Sequence, residues 1–210
     1  MVDFISQAIG GFSAMSGWEY LAVLLSVVYL LLAMKQSLWC WPAAFFSTLI
    51  YTLLFFNGAL LMESLLNVFY MSMAIYGWYC WRQPARADNR MLPVTSLSLT
   101  IHSQMAIATF TIAMVLGYIM DNYTRADFAY LDSITTCYSV LATYLLAKKI
   151  LENWLYWVII DAVSIYLFVN KGYYPTAVLF IFYTLMAVRG YFQWHNSVVD
   201  DSDYPAVPSS

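Results

Sequence analysis

Trp18-Glu-Tyr-Leu-Ala-Val-Leu-Leu-Ser-Val-Val-Tyr-Leu-Leu-Leu-Ala-Met34 is the stretch whose reading decides the fold. It holds one charge, Glu19 at its edge, and closes on Lys35. A membrane-spanning helix needs about 20 mostly apolar residues, and this run meets that need. Working outward, six more such runs appear: Trp41 to Phe56, Leu60 to Trp81, Leu97 to Met120, Phe128 to Ala147, Trp154 to Val169 and Tyr174 to Trp194. Polar punctuation separates them, at Asn57-Gly58, at the arginine-bearing stretch from Arg82 to Pro93, at Asp121 to Asp127, at Lys148-Lys149 and at Asn170-Lys171-Gly172. Pro42 suits a first helical position, where its missing N–H costs nothing. The expected fold is an all-α membrane protein with seven transmembrane helices.

Composition agrees. Of 210 residues, 62% are hydrophobic and 10% charged, against about 25% charged in a soluble domain. That is too little charge to clothe a soluble surface. The net charge of −3 argues against a nucleic-acid partner. Cys40, Cys80 and Cys137 form no CxxC or Cys/His pattern and read as free thiols in or near helices. The start of the chain carries Asp3 and no basic n-region, so a cleaved signal peptide is not expected.

Seven spans put the termini on opposite sides. The loops on the C-terminal side collect Lys35, Arg82, Arg86, Arg90, Lys148 and Lys149, against Arg125 and Lys171 on the other. The positive-inside rule then places the N-terminus outside and the C-terminus in the cytoplasm.

A shift of 113 residues, from Trp18–Trp81 to Leu131–Trp194, aligns 16 identities in 64 positions without a gap. They include Ser26/Ser139, Lys35/Lys148, Trp41/Trp154, Asn57/Asn170, Tyr70/Tyr183, Gly77/Gly190 and Trp81/Trp194. Each half holds three helices and the fourth joins them. Three plus one is an even number of crossings, so the halves are parallel repeats (3+1+3), related by an axis along the membrane normal, with a substrate site expected near the midplane between them. The organisation read from this is a 1–17 N-terminal segment as an interfacial helix, an 18–81 first repeat, 82–130 as cytoplasmic loop, linker helix and outer loop, a 131–194 second repeat, and a disordered acidic tail at 195–210.

Ionisable groups inside a bilayer cost about 2.5–3.5 kcal/mol on insertion scales, so they face the protein interior. Asp161 lies mid-span with Trp157 four residues earlier on the same face. A carboxylate beside an indole suits an aromatic cation; the alternative is a structural partner for a neighbouring helix. Its repeat mate is Thr48, so the charge is not a symmetric scaffold feature. Glu63, Asn67 and Tyr70 share a face that extends toward Trp78. Asn67 aligns with Phe180, which again points to a site; Glu63 reads as either a ligand contact or an interfacial carboxylate. Tyr70 and Tyr183 either line the cavity or hydrogen-bond between helices. Asn57/Asn170 read as helix C-caps, Gly77/Gly190 as close-contact positions, Arg189 as snorkelling to the inner interface, and Trp41, Trp81, Trp154 and Trp194 as an aromatic belt. Candidate substrate-binding residues are therefore Asp161, Trp157, Asn67, Tyr70, Tyr183, Thr48, Glu63 and Trp78. No Walker, HExxH or GxSxG motif occurs, so neither an enzyme nor a resident cofactor or metal is expected.

With these residues in view, Ile75-Tyr-Gly-Trp-Tyr-Cys-Trp81 and Glu152-Asn-Trp-Leu-Tyr-Trp-Val-Ile-Ile-Asp161 carry a resemblance to the Pnu family of bacterial vitamin transporters over about residues 18–194. The resemblance implies the 3+1+3 fold, a homotrimer, and facilitated diffusion made effective when a cytoplasmic vitamin kinase phosphorylates the substrate. Nicotinamide riboside carriers of that family resemble this chain less at two cavity positions: they carry Asn where it has Asp161 and Gln where it has Asn67. Thiamine carriers also belong to the family, and thiamine is a permanent cation. On that ground the resemblance favours thiamine, with nicotinamide riboside as the alternative. A membrane receptor or assembly subunit that does not transport is a reading from another class.

Overall fold

Ser16 starts the first helix. Its hydroxyl accepts the Glu19 N–H and the Glu19 carboxylate accepts the Ser16 N–H, a capping box that satisfies two donors the helix end would leave bare. In a computed structural model, which describes residues 7, 10, 11, 13, 15–58, 61–83, 92–124 and 128–198, seven helices follow in order: α1 Gly17–Met34, α2 Cys40–Asn57, α3 Leu61–Arg82, α4 Leu99–Tyr123, α5 Ala129–Ala147, α6 Asn153–Asn170 and α7 Tyr174–His195. The expected interfacial helix before Ser16 and the acidic tail beyond Val198 lie largely outside the described residues. Pro42 is the third residue of α2 rather than the first. It is still in the opening turn, whose N–H groups have no partner within the helix. Asn57 and Asn170 are the last helical residues; the C-caps are Gly58 and Lys171.

Five helices, α1, α2, α4, α6 and α7, are long and apolar enough to cross a membrane. α3 and α5 have comparable length but more polar side chains, such as Glu63 and Asn67 in one and Asp132, Ser133, Ser139 and Thr143 in the other. Ser133, Ser139 and Thr143 are buried against neighbours. Outward-facing positions are apolar instead: Ile107, Leu65 and Leu185 are all more than half exposed.

α2 packs between α1 and α3, α6 packs between α5 and α7, and α4 lies on α5. The two groups of three meet along two seams, α1 against α7 and α3 against α5. Matching turns close α1 and α5. Gln36 (φ 54°) and Lys149 (φ 55°) adopt the left-handed conformation that a helix C-terminus uses to satisfy its last carbonyls. Gln36 N–H donates to Ala33 and Ser37 N–H to Leu32; Lys149 N–H donates to Leu146 and Ile150 N–H to Leu145. Each member of one set stands 113 positions from its counterpart. The stretch before α4 is stitched over the second turn: Thr95 N–H donates to Lys149 C=O (3.1 Å) and Leu151 N–H to Thr95 C=O (2.9 Å).

The densest part of the core sits at the end of the bundle where α1, α3, α5 and α7 stop. Trp41, Trp81, Trp154 and Trp194 are buried there, none more than 4% exposed. This overturns the aromatic-belt expectation for them. Trp41 meets Trp81 edge-on at 5.2 Å, Trp154 meets Trp194 edge-on at 5.4 Å, and Trp81 and Trp194 meet each other at 6.1 Å. The indole N–H of Trp81 donates to Ala147 C=O (3.2 Å), and that of Trp194 is shared by Ala33 and Met34 C=O (both 3.1 Å). Each group thus donates to helix-end carbonyls of the other, of which Ala33 C=O also accepts the Gln36 N–H. Gly77 and Gly190 admit this packing, since a side chain at either would run into the Trp41 or Trp154 ring. The exposed Trp18 and Trp39, 64% and 68% accessible, sit at span ends instead.

Candidate substrate site

Halfway along the bundle the side chains turn polar. Asp161 stands near the middle of α6, only 3% exposed, and no described residue forms a hydrogen bond or ion pair with its carboxylate. A lone buried charge is costly, which makes this carboxylate the leading candidate residue of the layer. Trp157 lies one turn earlier and is half-buried against the tryptophan core. On α7, Tyr183 lies within electrostatic reach of Asp161 and of Tyr51 on α2. The Tyr183 hydroxyl is 2.7 Å from Ser26 of α1. On the other seam Tyr70 of α3 reaches Ser139 of α5, with Tyr29 beside it.

The remaining candidates are dispersed. Thr48, the repeat mate of Asp161, turns its hydroxyl back on Ala44 and Phe45 C=O (2.9 and 3.0 Å). Asn67 is half-buried one turn from Tyr70 and donates to Glu63 C=O (2.9 Å) in its own helix. Glu63 is exposed in the first turn of α3. Trp78 lies at the opposite end of that helix, edge-on to Trp39 at 6.0 Å and beneath the Arg82 guanidinium at 5.9 Å. The structure therefore gathers Asp161, Trp157 and Tyr183, with Tyr70 on the facing seam, and holds Glu63 and Trp78 apart. Ser26, Ser139, Tyr29 and Tyr51 join the layer without having been singled out from the sequence. For the serines a signal existed, because they are an identical pair in the 113-residue alignment.

At the end that bears the tryptophan core, Lys149 is 3% exposed. Its ammonium lies 4.7 Å over the Trp81 ring and 3.4 Å from Gln36 Oε1. Burial pulls its pKa down to about 8. Nearby, Glu152 accepts from Ser96 and from the Leu97 N–H and pairs with His102 Nε2 at 3.3 Å, tying α4 to α6. These contacts are anchors rather than a site. Among the described residues no three His, Cys, Asp or Glu side chains converge as metal ligands would.

A bundle of apolar-surfaced helices around a mid-depth carboxylate, phenols and an indole defines a multi-pass membrane transport protein. It binds a small molecule and has no catalytic constellation among these side chains. The chain belongs to the nicotinamide mononucleotide transporter family, whose profile matches residues 16–196. It is 30% identical to the nicotinamide riboside transporter PnuC of Escherichia coli (strain K12), over 70% of this chain and 72% of that protein. It is 25% identical to the riboflavin/roseoflavin transporter RibM of Streptomyces davaonensis, over 81% of each. A crystal structure of the vitamin B3 transporter PnuC shares the fold, with a TM-score of 0.72 at 18% identity, covering 92% of this chain and 87% of that one.

Proposed function

We propose that this protein carries nicotinamide riboside across the bacterial inner membrane, by alternating access and without direct energy coupling. The observation that carries the reading is Asp161: a buried carboxylate at mid-depth without a partner, beside Tyr183 and one turn from Trp157. The nicotinamide ring of the riboside is a pyridinium cation, so Asp161 supplies the counter-charge, Trp157 a stacking face, and Tyr183, Tyr70 and Asn67 hydrogen bonds. Thiamine offers the same charge, and the Asp161 and Asn67 positions favoured it in the sequence. The relatives named above do not support it: two carry the name of nicotinamide riboside or vitamin B3 and one that of riboflavin. The preference therefore moves to the riboside.

The architecture we propose is two parallel three-helix repeats, 18–81 and 131–194, joined by α4. The helix ends recurring at an offset of 113, the paired turns at Gln36 and Lys149, and the reciprocal tryptophan bonds support it. The clustering of Lys and Arg supports an outer N-terminus and a cytoplasmic C-terminus. A homotrimer, and a cytoplasmic kinase that traps the vitamin, follow from family resemblance and complete the reading.

The test is calorimetric titration of the purified protein with nicotinamide riboside, thiamine and riboflavin side by side. The expected order places the riboside first. Asp161→Leu, which removes the polar partner altogether, is expected to weaken its binding about tenfold or more, since a hydrogen bond to a charged group contributes about 1.5–3 kcal/mol. An unchanged dissociation constant, or tighter binding of thiamine, overturns the assignment. Equilibration of labelled vitamin into empty liposomes, without ATP or an ion gradient, separates a facilitator from a receptor that does not transport.

A further inference from the structure

A side-chain hydrogen bond, Tyr183 to Ser26 at 2.7 Å, crosses the α1–α7 seam at mid-depth, and the counterpart pair Tyr70 and Ser139 lies across the α3–α5 seam. They are counterparts at an offset of 113, yet their surroundings differ. Tyr183 is within electrostatic reach of Asp161 on the adjacent α6, whereas Asn67, one turn from Tyr70, is occupied with its own helix.

Proton accounting fixes the direction of the Tyr183–Ser26 bond. Ser26 Oγ is 2.8 Å from Val23 C=O and 2.7 Å from Tyr183 Oη. A carbonyl only accepts and a serine hydroxyl has one proton. Ser26 therefore donates to Val23, and Tyr183 donates to Ser26. The phenol proton is committed to α1 and cannot serve Asp161 at the same time. A carboxylate facing a bound cation still has lone pairs to fill, and hydrogen bonds to an ionised acceptor are roughly twice as strong as neutral ones. Tyr183 is the O–H donor at hand.

We infer that the Tyr183–Ser26 hydrogen bond is a clasp that substrate opens: occupation at Asp161 draws the Tyr183 hydroxyl away from Ser26 and frees α1 from α7. Ser26 is thereby a positioning residue for transport, acting through Tyr183. This rests on the reading of Asp161 as the counter-ion of the substrate.

Ser26→Ala removes the acceptor that competes for the Tyr183 proton. Interhelical hydrogen bonds in membranes average about 0.6 kcal/mol and reach about 1.7. Opening the clasp in advance should therefore tighten nicotinamide riboside binding roughly threefold to twentyfold, because the competent state is more populated. In the ligand-free protein, hydrogen exchange over α1 and α7 should rise. In a Tyr183→Phe background Ser26→Ala should change neither quantity. Unchanged or weaker binding in Ser26→Ala, or a gain that persists in the Tyr183→Phe background, overturns the clasp. If the wild type binds none of the three vitamins, the proposed function fails. The exchange arm still decides the clasp: unaltered exchange in Ser26→Ala overturns it, and raised exchange over α1 and α7 supports it.

Discussion

Replacing Gly77 by alanine sets two effects of opposite sign against each other. Gly77 lies inside α3, where alanine is favoured by roughly 0.5–1 kcal/mol on backbone grounds. Its new Cβ, however, would meet Trp41 Cη2 and Cζ2 well inside van der Waals contact. Trp41 is 2% exposed and held edge-on by Trp81 at 5.2 Å, so its ring has nowhere to swing. Overpacking of a filled core costs about 1–3 kcal/mol, and this geometry belongs at the upper end. The net expectation is a loss of about 2 kcal/mol. At about 2–4 °C per kcal/mol for a chain of this size, the melting temperature should fall by roughly 4–8 °C. At Gly190 the nearest Trp154 ring atom would be 2.7 Å away, so Gly190→Ala should cost less. Thermal unfolding of the detergent-solubilised protein measures both. Trp41→Phe provides the control. It withdraws the ring atoms that clash and deletes an indole N–H that finds no acceptor among the described residues. The Gly77→Ala/Trp41→Phe double variant should then be more stable than the sum of the single losses predicts. A melting temperature that is unchanged or raised in Gly77→Ala, or strict additivity in the double variant, would refute the reasoning.

Two further expectations concern charges outside the spans. The folded pKa of Lys149 is pulled down to about 8 from a model-peptide value of 10.5 by burial. Between those values the unfolded chain binds more protons, so stability should rise as pH increases from about 8 to 10.5. Melting curves over that range should show the rise in the wild type and a flatter profile in Lys149→Met; parallel profiles would exclude the effect. Lys171 and Asp132 form an ion pair at 2.7 Å with side chains 23% and 38% exposed. Lys171→Met should therefore cost no more than about 1 kcal/mol, and the loss should shrink in high salt. A loss of several kcal/mol, insensitive to salt, would show that the pair does more than bridge α5 and α6.

The helices were legible because polar punctuation in an apolar chain is hard to misread. Every expected boundary lies within three residues of the observed one, and the largest slip is at the end of α4, where Asp121, Asn122 and Tyr123 extend the helix. Their side chains are exposed, so continuing the helix leaves no polar group buried. Asp161 was legible for the opposite reason, as a charge where none is cheap. The tryptophans were misread. A tryptophan at a span end fits the interfacial belt, and nothing local separates Trp39, which lies exposed, from Trp41, which is buried. The difference lies in the partner, because Trp41 needs the gap left by Gly77 in another helix. The alignment had already paired Trp41 with Trp154 and Gly77 with Gly190, but it does not say that one pair fills the other. Tyr29 and Tyr51 were missed because a tyrosine inside an apolar run gives no sign of which way it faces.

The tryptophan bonds at the end of the bundle carry a consequence for biogenesis. A chain made by a ribosome releases its helices in order, N-terminal first. The Met34 carbonyl lies at the end of α1, yet its indole donor is Trp194 of α7, six helices further along the chain. The N–H of Trp81 likewise waits for Ala147. The first three helices therefore gain these contacts only once α5 and α7 have followed them into the membrane. A chain stopped short of Trp194 would leave the Met34 carbonyl without that donor, a defect in α1 rather than at the site of truncation.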